Sequence, residues 1–390
     1  MRLAERMGRL GSESAFEVLA RARALEAQGR DVIHLEIGEP DFETPDNVIA
    51  AGREALSQGW THYGPAAGDP ELRAAIAVRT NALRGTGYVP EQVIVTPGAK
   101  PVMFFTMLAL VQAGDEVIYP DPGFPIYRSM IDFAGATAVP IPLREANGFG
   151  LDVEELERLI TPRTCLLIVN TPGNPTGGVV PPHDLERVAK LAVAHDLWVL
   201  SDEIYSELIF DGEHASLASF PGMAERTILL DGFSKTFAMT GWRLGYGIVP
   251  PGLVDPFTRL MVNSVSCASV AVQRAGLAAL SGPRDEVNAM REAFRRRRDL
   301  VVAGLNAIPG VTCPTPAGAF YVFPNIGATG QRSADFSGGL LQEQGVATIA
   351  GTSFGDHGQG HIRLSTANSD ENLARAIDRI ATYVGSLDGR

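Results

Sequence analysis

Seven short apolar runs recur between about residues 90 and 250: "QVIVT", "EVIYP", "TAVPIP", "TCLLIVN", "LWVLSDE", "TILLDG" and "LGYGIV". Most are bounded by Gly, Pro or Asp, and helical patterns such as "DLERVAKLAVAHD" lie between them. A strand that is apolar on both faces must be covered on both faces. Such runs alternating with helices therefore predict βαβ units and a mostly parallel sheet between helical layers. Ligands of these sheets bind beyond the carboxyl ends of the strands. That rule selects five segments for inspection: "TPGAK", "YPDPGFP", "NTPGNPTG", "SDEIY" and "DGFSK".

Beyond residue 285 the pattern changes. A long polar helix, "DEVNAMREAFRRRRDLVVAGLNAI", precedes the short runs "GAFYVFPNI", "GVATIAG" and "HIRLSTA" and a closing helix, "DENLARAIDRIATYVGSL". We expect a large α/β domain over residues 46–284, and a smaller α+β domain made of residues 285–390 with the N-terminal segment 1–45. The chain of 390 residues suits two domains. Its net charge of -12 and lack of a long basic run argue against nucleic acid or an anionic membrane as main partner. The run Arg295 to Arg298 reads as a solvated helix face. Cys165, Cys267 and Cys313 are too few and too scattered for a disulfide framework or a zinc site. The N-terminus lacks an apolar signal-like core and no segment approaches a membrane span, so a cytoplasmic protein is expected. No metal is expected either: the pair in "HGQGH", His357 and His361, sits among glycines and lacks the glutamate of H-E-x-x-H.

Lysine is nearly excluded from this chain. Three occur, Lys100, Lys190 and Lys235, against thirty arginines. A guanidinium stays protonated and is a poor nucleophile, so lysine is retained where chemistry needs a primary amine. Lys235 stands in "DGFSKTFAMTGWRLGYG", right after an apolar run, which is where an α/β sheet presents its ligand-binding residues.

The five loops, taken in order and spacing, resemble those of the class I/II aminotransferases, pyridoxal-phosphate enzymes of fold type I, and most of all the bacterial aspartate aminotransferase-like members. The likeness runs from "EIGEPDF" to "HIRLS". It implies pyridoxal 5'-phosphate as cofactor, joined to the amine of Lys235, which also moves the proton at the substrate Cα. It implies that Asp202 faces the pyridine nitrogen, with Tyr205 and Asn174 reaching the 3′ oxygen. The phosphate falls to Gly98, Ala99 and Lys100 at a helix start, to Ser234 and to Arg243. Phe124 stacks on the ring. Arg363 takes the substrate α-carboxylate as a bidentate pair, with Gly38 and Asn174 completing that end. Tyr63 matches a tyrosine that reaches the neighbouring subunit's phosphate, which implies a homodimer with shared active sites.

Position 232 is Gly where some members carry a second phosphate-binding serine, Phe124 replaces a tryptophan, and Pro101 follows Lys100. These departures bear on the substrate. In one bacterial branch of the family a lysine at the place of Lys100 meets the donor's distal carboxylate, so the resemblance implies an acidic donor such as aspartate or glutamate, exchanged with a 2-oxo acid in ping-pong fashion. Alanine, aromatic and other donors stay open. So do β-elimination, decarboxylation or oxidation on the same scaffold. A cofactor-binding sensor is disfavoured because the enzyme fold uses up the chain. A nucleotide-dependent dehydrogenase lacks its G-x-G-x-x-G. The segment from Ser12 to Phe16 is expected to fold over the site.

Overall fold

The structure, a computed structural model, describes residues 2–387. Each of the seven apolar runs becomes a strand: β1 (Val93–Thr96), β2 (Glu116–Asp121), β3 (Thr137–Pro142), β4 (Thr164–Asn170), β5 (Trp198–Asp202), β6 (Thr227–Gly232) and β7 (Gly245–Ile248). They form one sheet in the order β1-β7-β6-β5-β4-β2-β3, in which only β7 runs antiparallel to its neighbours. Leu166, Ile168, Leu200 and Ile228 are fully buried on one face, and Leu167, Val199 and Leu229 on the other. Each such side chain stabilises the sheet by roughly 1.5–3 kcal/mol, which is why the runs are apolar throughout rather than alternating.

Register positions the site. Asn170 pairs with Asp202, and Asp202 with Leu230, so β4 and β5 end at one level and β6 runs two residues further, to Gly232. One helix beside the sheet, Pro70–Arg84, carries clear start and stop signals. Asp69 caps the helix Pro70–Arg84 through the N–H groups of Glu71 and Leu72, Pro70 occupies its first turn, and Gly85 ends it in the left-handed region at φ 64°.

A second layer lies on residues beyond 285. Ile349–Ala350, Ile362–Ser365 and Tyr321–Val322 form a three-stranded antiparallel sheet in that order, and Ile33–His34 pairs in parallel with Val346–Ala347. The helices Asp285–Asn306 and Asp370–Leu387 pack on each other here. Ile33 and Leu35 share a core with Leu305, Phe336, Leu364 and Ile380, so the N-terminal segment packs with the C-terminal residues.

The arginine run departs from its expected solvated role. Arg295 and Arg296 face solvent, but Arg297 and Arg298 are buried. Arg297 bridges Asp41 and Asp370, and Arg298 bonds Asp211, Asp299 and the Pro316 carbonyl. Four consecutive helical residues sweep about 300° around the axis, so a run of four cannot stay on one face. Among the described residues no helix is long and apolar enough to cross a membrane.

Candidate active site

A cavity of about 460 Å³ opens at the ends of β4, β5 and β6. Asp202, the last residue of β5, forms part of its floor and is 2% exposed. Its carboxylate accepts from the Tyr127 hydroxyl at 2.5 Å and from the Ile204 N–H at 3.3 Å. Burial pushes this carboxyl up to about 6, against the pull of those bonds. Tyr205, in the turn three residues further on, shares a hydrogen bond of 2.8 Å with the Tyr321 hydroxyl.

Lys235 sits in the turn after β6, and its Nζ donates to the Gly38 carbonyl at 2.5 Å. Burial, together with Arg363, Arg243 and Lys100, pulls its amine down to about 8, while Glu39 opposes the shift. A neutral amine is therefore accessible close to physiological pH. Gly38 must be glycine, because a Cβ there would lie 2.2 Å from the Tyr321 hydroxyl.

One end of the cavity is built for an anion. Ala99 and Lys100 start the helix Lys100–Leu110, and Ser234 and Arg243 line the same cavity. Arg243 holds a left-handed backbone at φ 55°, uncommon for a side-chain-bearing residue, and donates to the Thr240 carbonyl at 2.9 Å. Gly98 does not line the cavity but makes it possible. Its φ is 79°, and a Cβ there would stand 2.1 Å from the Arg243 guanidinium.

The other end holds Arg363, 4% exposed. It donates to Asn174 Oδ1 at 3.2 Å and to the Glu36 carbonyl, and lies over the rings of Tyr321 and Phe354. Its buried Nε has no hydrogen-bond partner among the described residues. A carboxylate arriving from the cavity would meet that unmet donor.

Over the mouth lies the segment expected to cover it: Glu13, Ala15 and Phe16 line the cavity, and Glu13 forms an ion pair with Lys100. Phe124 lines the wall and receives the Lys100 ammonium at 5.5 Å from its ring centre. Tyr63 lies apart from the other expected residues, 87% exposed and outside the cavity.

Sequence reasoning missed Tyr127 and Tyr321, which hold Asp202 and Tyr205. Tyr321 stands in the short run "GAFYVFPNI" and Tyr127 two residues beyond "YPDPGFP", but an aromatic in such a place carries no mark that separates a core ring from a hydroxyl donor. It also missed the ion cluster beneath the floor. Arg84 reaches from its helix to Glu203 at 2.6 Å and to Asp231, Ser206 bonds the same guanidinium, and His214, Ser201 and Ser216 complete the shell around Glu203. Glu203 follows Asp202 and Asp231 precedes the lysine turn, so one guanidinium ties the ends of β5 and β6 together.

Pyridoxal 5'-phosphate fits this donor set. Asp202 is a buried carboxylate whose hydrogen bonds come from a hydroxyl and an amide rather than a cation, and a protonated ring nitrogen is the partner its burial calls for. The helix start with Ser234 and Arg243 suits a dianionic phosphate. Lys235 supplies the amine and Arg363 an unmet carboxylate donor.

The sequence profile of the family described as aminotransferase class I and II matches residues 30–380. An arginine–pyruvate transaminase of Pseudomonas aeruginosa is 41% identical over 377 residues, covering 97% of this chain and 96% of the relative. An aspartate aminotransferase of Pyrococcus abyssi is 42% identical over 355 residues, covering 90% and 91%. Among solved structures, the aspartate aminotransferase of Thermus thermophilus with maleate superposes with a TM-score of 0.94 at 41% identity, covering 98% of this chain and 100% of that one.

Proposed function

The chain belongs to the class I and II aminotransferases and is a pyridoxal-phosphate-dependent enzyme of that family, and from this premise we propose which residues do the chemistry and which donor they favour. The observation that carries the reading is the meeting, in one cavity, of an amine held near neutrality, a buried carboxylate lacking a cation, and an arginine with a free donor.

When bound, pyridoxal 5'-phosphate supplies a carbonyl that condenses with amines and a conjugated ring that accepts the electron pair left by the departing α-proton. Asp202 keeps a proton on the ring nitrogen, and the Tyr127 hydroxyl holds that carboxylate in place. Ala99, Lys100, Ser234 and Arg243 grip the phosphate, Gly98 leaves Arg243 the room to do so, and Phe124 covers the ring. Tyr205 and Asn174 donate to the 3′ oxygen. Arg363 binds the substrate α-carboxylate beside Gly38 and thereby aims Cα at the Lys235 amine. Lys235 would take the proton from Cα and hold it on its amine for return. An amine close to 8 is suited to both directions.

Lys100 is the cation at the mouth, where the donor's side chain ends, and it favours aspartate or glutamate. The working unit is a homodimer in which Tyr63 of each protomer completes its partner's phosphate site. It works in the cytoplasm, with residues 46–284 as cofactor domain and 1–45 with 285–390 as the second.

The test is the visible absorbance of the purified protein as aspartate, glutamate, alanine and an aromatic amino acid are added in turn, beside Lys235→Ala. An acidic donor should abolish the yellow band of the bound cofactor, and a 2-oxo acid should restore it. The variant should respond to neither. Bleaching by alanine alone would refute the donor assignment.

A further inference from the structure

Lys100 does not wait at the mouth uncommitted. Its ammonium is paired with Glu13, with the lysine side chain 45% exposed and the glutamate 18%. Glu13 stands at the cap position of the helix Ser14–Glu26, yet its carboxylate makes no cap bond and is spent on Lys100 instead. Upstream, the segment is tied to the helix Ile126–Ala134 by Gly11 N–H to Ser129 Oγ at 2.8 Å and by Arg9 Nε to the Asp132 carbonyl at 2.8 Å. Downstream, Ala22 and Leu25 pack on Leu341 and Ala347. Glu13 is thus held over the cavity from both sides.

Resting on the reading that Lys100 faces the donor's side chain, we propose that Glu13 is a specificity-determining residue: its carboxylate occupies Lys100 and competes with the distal carboxylate of a dicarboxylic donor. Arg363 takes the carboxylate common to all donors. A second carboxylate reaching Lys100 must displace Glu13, one carboxylate exchanged for another. An apolar side chain leaves the pair closed and lies against Phe16 and Phe124, which line the same space. Glu13 therefore sets how strongly the site prefers acidic over apolar donors.

The test uses two unreactive acids of four carbons, succinate and butyrate, titrated calorimetrically into the holoenzyme. Ion pairs this exposed are worth little, so Glu13→Gln should tighten succinate about two- to five-fold and leave butyrate unchanged. Lys100→Gln should weaken succinate about ten-fold, and the double variant should match Lys100→Gln alone. Steady-state ratios of kcat/KM for aspartate over alanine should move in the same direction. Equal tightening of both acids by Glu13→Gln would mean a loosened cover and overturn the inference, as would weaker succinate binding or an additive double variant. If Lys100→Gln leaves succinate unaffected, the reading of Lys100 falls and this inference with it. If Lys100→Gln behaves as expected and Glu13→Gln has no effect, only the inference falls.

Discussion

Replacing Lys235 by methionine should stabilise the cofactor-free protein while abolishing its activity. The amine is drawn from its ordinary 10.5 to about 8, chiefly by burial. At about 1.36 kcal/mol per pK unit, that gap corresponds to about 3 kcal/mol charged against the folded state at pH 7, where both folded and unfolded lysine carry the proton. The side chain keeps partial exposure to the cavity and a bond to the Gly38 carbonyl, so about 2 kcal/mol should be recovered. The sign of the pH dependence is fixed by the depressed value. Between about 8 and 10.5 the folded amine is neutral and the unfolded one still protonated, so the lysine protein gains stability as pH rises, and loses it as pH falls back through 8. Urea unfolding of the two cofactor-free proteins, at equal concentration from pH 7 to 10.5, should show the methionine variant ahead at pH 7 and the difference closing above pH 8. The other titrating groups are common to both proteins and cancel. A difference that stays constant across that range would refute the reasoning, because it would show that the advantage comes from packing and not from a buried charge.

Two further perturbations address the scaffold and the phosphate end. Arg84→Met leaves Glu203 and Asp231 buried without their cation and should cost about 3–5 kcal/mol in urea unfolding at pH 7; a loss below about 1 kcal/mol would show that the cluster is neutralised by other means. Gly98→Ala puts a methyl where the Arg243 guanidinium lies and strains a left-handed backbone, so on the proposed assignment of Arg243 one charge-assisted bond to phosphate should be lost. At about 1.5–3 kcal/mol for such a bond, cofactor affinity should fall about 10- to 100-fold in a fluorescence titration of the cofactor-free protein, and a change within two-fold would refute the clash.

The strands were legible because their burial is complete. A run such as "TCLLIVN" has no polar face to mislead, and each of the seven runs became a strand within a residue or two. Residues at or just past a strand end, Asp202 as the last of β5 and Ser234 and Lys235 in the turn after β6, stood out from position and chemistry together, and the cavity gathers them. What stayed hidden were partners defined by long-range approach. Arg84 lies 119 residues from Glu203 and 147 from Asp231, on a helix whose pattern calls only for an exposed cation near its C-terminus. Glu13 and Lys100 are 87 residues apart, and nothing local distinguishes that glutamate from its neighbours Glu5 and Glu17. The arginine run was misread because charge alone says nothing of where a helix finds Asp41, Asp211 and Asp370.

The neighbouring ends of β4, β5 and β6 divide the labour of the molecule. Neighbouring strands stand about 4.8 Å apart, and the hydrogen-bond ladder holds that spacing whatever the loops above it do. Asp202 stands on the sheet itself, and Asn174 and Lys235 follow within four residues of the neighbouring strand ends, so the three are placed from the lattice of the sheet through short tethers. Glu13 and Phe16, by contrast, belong to a strap that crosses the cavity mouth from the Gly11 and Arg9 bonds on one side to the Ala22 and Leu25 contacts on the other. Substitutions along that strap can retune which side chain is welcome without moving the atoms that handle the α-proton. A scaffold of this kind can change its diet while its digestion stays the same.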